Sequence, residues 1–140
     1  MSTSNRIVCI VDDDPSNILF FHEALKGFSG ITVLTFRDPL SALKHFQEFD
    51  YAYALVISDF KMERLDGMDL LKSIKDVNPL VRTILITAAF RFKDKRLQEY
   101  TKKRIIDGFV QKPIGLHDFL KEVRTQLQMY ETQKRYPVQW

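Results

Sequence analysis

Short runs rich in β-branched residues alternate along this chain with segments whose apolar residues recur every three or four positions. That alternation constrains the fold more than any other feature, because it is the signature of βα units laid on a parallel sheet. The strand-like runs fall at residues 7–11, 31–36, 54–57, 83–86 and 109–110, so five units fit. Pro15 and Ser16 open the first helix, where Ile18, Leu19, Phe21 and Leu25 keep helical spacing until Gly27. Asp38 caps the second, with Pro39 at its first position and Leu40, Leu43 and Phe46 on its buried side. The third follows Gly67, carries Met68, Leu71 and Ile74, and stops at Asn78 and Pro79. The fourth, at residues 90–103, is shallow, with Phe92, Leu97 and Tyr100 as its anchors among many basic residues. The last begins at Gly115 and Leu116 and repeats cleanly through Phe119, Leu120, Val123 and Leu127.

A length of 140 residues suits one domain and is enough to bury a core between two helical layers. The expected domain covers residues 1–131, and residues 132–140 read as a C-terminal tail or the start of a linker. Hydrophobic residues at 45% and charged residues at 28% exclude a disordered chain. No apolar stretch reaches the roughly 20 residues that span a bilayer, and the polar start is no secretory signal, so a cytoplasmic location is expected with no membrane contact. A formal charge of +3 is too small to imply nucleic-acid binding.

Cys9, the only cysteine, sits inside an apolar run and reads as a buried small hydrophobe. His22, His45 and His117 lie on separate helices at no ligand spacing and read as surface or boundary residues. The basic residues from Arg91 to Arg104 are most simply a solvated face.

Chemistry concentrates where the strands end. Asp12 and Asp13, Asp59, Thr87 and Lys112 each fall at or just past the end of a separate run. In a parallel sheet these positions converge on the carboxyl edge, where open α/β sheets place their ligands. Asp14 serves to cap the first helix; Asp12 and Asp13 exceed what one cap requires. Carboxylates facing one another repel unless a cation binds between them, and an oxygen-only set suits Mg²⁺, which typically takes one or two carboxylates plus phosphate oxygens. Asp59 can then act as nucleophile toward a phosphoryl group, with Lys112 supplying positive charge and Thr87 a hydroxyl donor.

Val11-Asp12-Asp13-Asp14-Pro15, Ser58-Asp59-Phe60-Lys61-Met62 with Gly67 beyond it, Leu85-Ile86-Thr87-Ala88, and Lys112-Pro113 occur in that order. Together they resemble the receiver domain of two-component response regulators, from about Arg6 to Leu127. The resemblance implies a flavodoxin-like, doubly wound α/β fold: a five-stranded parallel sheet of order 2-1-3-4-5 with five helices. It implies Asp59 as phosphoacceptor, Asp13 and Asp59 as direct Mg²⁺ ligands, Asp12 as a ligand through water, and Lys61 as a carbonyl ligand. Thr87 matches the switch hydroxyl, Lys112 the lysine that pairs with the phosphoryl group, and Phe109 the aromatic that turns inward; Phe109 is expected in the core either way. Lys112-Pro113 is commonly cis in the family.

The implied function is a signalling phosphoacceptor, not an enzyme beyond assisted self-phosphorylation and self-dephosphorylation. A histidine kinase or phosphotransfer protein is the expected input and an unnamed effector protein the output, with a homodimer left open. Three departures stand out: Glu63 replaces the usual proline, the stretch between Thr87 and Lys112 is long and basic, and Phe109 lacks a tyrosine hydroxyl. Glu63 and the long basic stretch motivate an alternative, a receiver-like interaction module that works without phosphorylation. A Mg²⁺ phosphohydrolase is disfavoured, since the length leaves no room for a cap domain or substrate pocket.

Overall fold

A computed structural model describes residues 5–88 and 94–135. In chain order the elements are β1 (Arg6–Val11), α1 (Pro15–Ala24), β2 (Ile31–Phe36), α2 (Pro39–Phe49), β3 (Tyr53–Asp59), α3 (Gly67–Val77), β4 (Arg82–Ala88), α4 (Lys95–Lys102), β5 (Gly108–Lys112) and α5 (Leu116–Arg135). The five strands pair in the order β2-β1-β3-β4-β5, and every pairing is parallel. The alternation of strand and helix in the sequence therefore yields the expected doubly wound sheet.

Strand β3 lies at the centre and is buried along its whole length, which is why residues 53–57 read as an unbroken apolar run. Alternate side chains feed two cores. Val8, Ile10, Leu55, Ile57, Ile84 and Ile86 point toward α1 and α5, where they meet Phe21, Leu25, Phe119 and Val123. Cys9, Val11, Val56 and Leu85 point toward the other layer, against Phe46 of α2, Leu71 and Ile74 of α3 and Leu97 of α4. Burial raises the Cys9 thiol pKa well above its ordinary value, in keeping with an inert core residue.

Aspartates start four of the helices. Asp14, Asp38, Asp66 and Asp94 each accept a hydrogen bond from a backbone N–H in the first turn that follows, and Pro15 and Pro39 take the first helical positions. The cap at Asp94 sets the start of α4 later than residue 90. Phe90, Arg91, Phe92 and Lys93 of the expected helix lie outside the described residues. Leu40 is exposed instead of lining the buried side of α2, because Pro39 and Ala42 take the inward positions of its first turns. Helix α5 continues past Glu131 to Arg135, held by the buried Tyr130, over whose ring the Arg6 guanidinium lies at 5.6 Å.

The amino edge of the sheet is closed by a polar network. Asp107 receives Lys75 Nζ at 2.7 Å and the Thr83 backbone N–H at 3.0 Å, and Arg82 Nη2 lies 3.6 Å from its other oxygen. Arg82 Nε donates to Gln126 of α5 at 2.9 Å. Burial pulls the Lys75 ammonium below its ordinary pKa, against the attraction of Asp107. Replacing Asp107 with alanine leaves the largely buried Lys75 and Arg82 side chains without the carboxylate between them, with neutral acceptors remaining at Pro79 and Gln126. Urea unfolding at neutral pH should show a loss of about 3 kcal/mol for Asp107→Ala.

Candidate functional site

The carboxyl ends of β1 and β3 lie side by side, with Val11 in register with Ser58. Asp12, Asp13 and Asp59 therefore emerge next to one another, and one carboxylate oxygen from each lies within 4.8 Å of the others. On the far side, Asp59 is in register with Ile86, and Ala88 with Lys112, which brings Thr87 and Lys112 to the same edge. The expected convergence of the strand-end residues is thus what the geometry gives.

Asp59 is 5% exposed and Thr87 2% exposed. Lys112 Nζ lies 2.8 Å from Asp59 Oδ1, near enough to offset its charge, yet it is not aligned to donate, and Asp59 Oδ1 accepts no hydrogen bond. The Lys112 side chain is 40% exposed, so water screens part of this attraction. Thr87 Oγ1 also lacks a partner. Among the described residues only one further buried side-chain atom, Arg96 Nε, shares that condition. Buried polar atoms normally find partners, so the Thr87 hydroxyl and the Asp59 oxygen leave capacity on this edge for an added acceptor and an added cation respectively.

Asp12 is held differently. The Asp14 N–H donates to its Oδ1 at 2.9 Å and Asn17 Nδ2 donates to its Oδ2 at 3.1 Å. Burial raises its pKa, the Asp59 charge adds to that rise, and the Asp14 and Asn17 donors and Lys112 oppose it. Asp13 is exposed at the mouth, and Asp14 turns away to cap α1 through the Ser16 N–H at 2.8 Å. The three clustered carboxylates form an all-oxygen set that fits a hard divalent ion such as Mg²⁺. Lys61 is exposed on the loop that follows Asp59.

That loop is shaped without the proline. The Leu65 N–H donates to the Glu63 carbonyl at 2.9 Å while Arg64 takes φ 73°, a tight γ-turn centred on Arg64, with Glu63 as its first residue. The loop closes on Gly67, whose N–H donates to the Phe60 carbonyl at 2.7 Å. A Cβ on Gly67 would lie 2.1 Å from the Asp59 carbonyl oxygen, so only glycine fits beneath that segment. Neither Asn17 nor the Gly67 contact was singled out in the sequence. The asparagine falls in the first turn after the acidic run, which is the signal that could have found it.

Phe109 departs from the sequence expectation of a core residue: it is 37% exposed. Strand β5 is an edge strand, and α4 on that side is short and contributes only Leu97 to the core, so the ring stays half uncovered. It lines a cavity of about 520 Å³ with Gln111, Lys112 and Lys121. A larger cavity of about 750 Å³, lined by Arg6, Tyr51 and Lys134, contains none of these residues. Lys112-Pro113 is cis. His22 and His117 are exposed and His45 half-buried, its Nδ1 2.6 Å from the Tyr53 hydroxyl. Ala89, two residues past Thr87 in the sequence, lies outside the described residues.

The family model of the response regulator receiver domain matches residues 8–124, and the chain belongs to this family. It is similar to the transcriptional regulatory protein ZraR of Klebsiella oxytoca, 33% identical over 88 residues, which are 63% of this chain and 19% of that protein. It is also similar to the DNA-binding transcriptional regulator NtrC of Escherichia coli (strain K12), 28% identical over 129 residues, 92% of this chain and 26% of that regulator. The chain thus spans about a fifth to a quarter of these curated relatives' length. Its fold is that of the signal receiver domain of an HD domain-containing protein from Pseudomonas fluorescens Pf-5, with a TM-score of 0.83 at 21% identity, covering 97% of this chain and 96% of that one. Receiver domains are signalling phosphoacceptors of two-component systems rather than enzymes in the usual sense; they generally bind Mg²⁺ at an acidic pocket and interact with histidine kinases and effectors. No described helix is long and apolar enough to cross a membrane.

Two measurements follow from this geometry. Gly67→Ala should lose about 2 kcal/mol of stability by urea unfolding, since the clash is with backbone and cannot be relieved by a rotamer change. Because burial raises the folded pKa of Asp12 above its ordinary value, the stability this group contributes is full below that ordinary value and lost as pH rises through the folded pKa. The advantage of the metal-free native protein over Asp12→Ala should therefore be larger at about pH 4 than at about pH 7.

Proposed function

We propose that this chain accepts a phosphoryl group on Asp59 from a histidine kinase or phosphotransfer protein and thereby switches a partner-binding face. The observation that carries the reading is the buried Asp59 Oδ1, which sits in a trio of carboxylates beside Lys112 and accepts no hydrogen bond. A carboxylate oxygen held 2.8 Å from a lysine ammonium but bound by no fixed donor is free to turn a lone pair toward phosphorus, beside a cation that offsets its charge. Asp13 and Asp59 would hold Mg²⁺ directly, Asp12 through water, and Lys61 through its carbonyl; the ion supplies neutralisation of charge on the phosphoryl oxygens.

The residues of the chain do the remaining work by position. Lys112 offsets negative charge on the product, and the unpartnered Thr87 hydroxyl donates to a phosphoryl oxygen once one arrives. The acyl phosphate carries about −1.5 to −2 units of charge at neutral pH in place of the carboxylate's single negative charge, a net gain of about half to one unit on a larger group with three more oxygens. Drawing Thr87 toward that charge vacates space on the side of the half-exposed Phe109, and the ring moves inward. The consequence is a changed surface on α4, β5 and α5, which an effector protein or a second copy of the chain reads in the cytoplasm. The receiver unit occupies residues 1–131 in this reading.

Incubation with a small-molecule phosphoryl donor and Mg²⁺ should add the mass of one phosphoryl group to the intact protein. Chelation of the ion should abolish the gain, and so should Asp59→Asn. A gain that persists in Asp59→Asn places the phosphoryl group elsewhere and overturns the assignment, while no gain in the native protein favours an interaction module that works without phosphorylation.

A further inference from the structure

We propose that Asn17 is a specificity-determining residue that keeps Asp12 from coordinating the divalent ion directly and so favours Mg²⁺ over larger cations. The inference deepens the phosphoacceptor reading and rests on its metal site. Asn17 stands in the first turn of α1, after the Asp14 cap, and its side chain turns back to the end of β1. Both oxygens of Asp12 are thereby tied from one side, Oδ1 by the Asp14 N–H at 2.9 Å and Oδ2 by Asn17 Nδ2 at 3.1 Å.

The two donors differ in what they control. The Asp14 N–H belongs to the backbone of the turn and is fixed by the fold, so only the Asn17 amide is free to vary with sequence. Asp12 is 1% exposed, and bulk water cannot replace a lost donor there. A carboxylate pinned at both oxygens can still accept a hydrogen bond from an ion-bound water. Rotation into direct or bidentate contact with the ion breaks at least one of its bonds.

Mg²⁺ binds with short bonds in a near-ideal octahedron and keeps several waters, whereas Ca²⁺ takes more oxygen ligands at longer distance. A pinned Asp12 leaves few carboxylates for direct contact, which is the Mg²⁺ habit. Loss of the Asn17 amide leaves Oδ2 a buried acceptor without a partner, and direct contact with a larger ion becomes its way of being satisfied. The pairing of Asn17 with Asp12 thus acts through a ligand, as outer-shell partners of metal sites generally do.

The test is calorimetric titration of the full chain with MgCl₂ or CaCl₂ alone. Asn17→Leu keeps the branched shape and removes the donor, and should lower the ratio of Mg²⁺ to Ca²⁺ affinity about tenfold, the low end of the effect outer-shell changes have on metal affinity. Asn17→Ala, which removes the donor without adding an apolar branch, should show the same fall, and Asn17→Gln, which retains an amide, should restore most of the ratio. A ratio unchanged in both Asn17→Leu and Asn17→Ala, or an equal weakening of both ions, overturns the role of Asn17. Failure of the native chain to bind Mg²⁺ at all overturns the phosphoacceptor reading together with it, so the two failures are told apart by the native titration.

Discussion

Three carboxylates held within 4.8 Å of one another are the constraint on which the rest of this structure depends. Two unit charges about 4 Å apart at an effective dielectric of about 20 interact by about 4 kcal/mol, and here the sign is repulsive. Left to themselves the ends of β1 and β3 would separate. They are held because each strand is committed elsewhere: β3 is buried throughout, and β1 pairs along its length on both sides. Local donors relieve what remains, with Asp14 and Asn17 on Asp12 and the Lys112 charge beside Asp59. The site stores electrostatic cost at its mouth, and a bound cation is the natural release for it.

The opposite edge of the sheet has the reverse character. Asp107, Lys75, Arg82, Thr83 and Gln126 satisfy one another in a buried network that ties the ends of α3, β4, β5 and α5 together. One end of the molecule is therefore polar, paired and stiff, and the other carries unpartnered atoms and like charges. Stability distributed in this way lets local rearrangement occur at one edge while the fold as a whole stays intact.

The sequence revealed the sheet because its signals were local. Runs of β-branched residues, Pro15 and Pro39 after their capping aspartates, and Asn78-Pro79 after α3 all act within a few residues of the boundary they set. The strand-end aspartates, Thr87 and Lys112 were legible for the same reason: a parallel sheet turns position along a strand into position at an edge. What escaped was set by contacts between distant segments. Asp107 is not marked by any local pattern, because its partners Lys75 and Arg82 come from other elements. Phe109 looked like core because large aromatics in strands commonly are, yet it sits on the edge strand β5 and is 37% exposed. Asn17 carried only the weak signal of its place in the first turn after the acidic run, and its contact with Asp12 depends on how α1 leaves β1.

Helix α4 is where these strands of argument meet. Leu97 is its only buried residue, so hydrophobic burial holds it weakly, and a polar clasp does the rest: Arg96 Nη2 lies 2.6 Å from Asp66 and 3.3 Å from Asp69. Asp66 is the cap of α3, and the next residue, Gly67, is pressed against the Asp59 carbonyl. The backbone of the proposed phosphoacceptor is thus linked through one loop and one ion pair to the element that leaves Phe109 exposed. Coupling between sites of this kind amounts to about 1 to 3 kcal/mol in general. An interaction of that size cannot repack a core such as the one around Phe21 and Phe119, which is closed on all sides. It is enough to shift a helix that has one buried anchor and a partly exposed clasp, and in the proposed role that difference in attachment decides which face of the molecule responds.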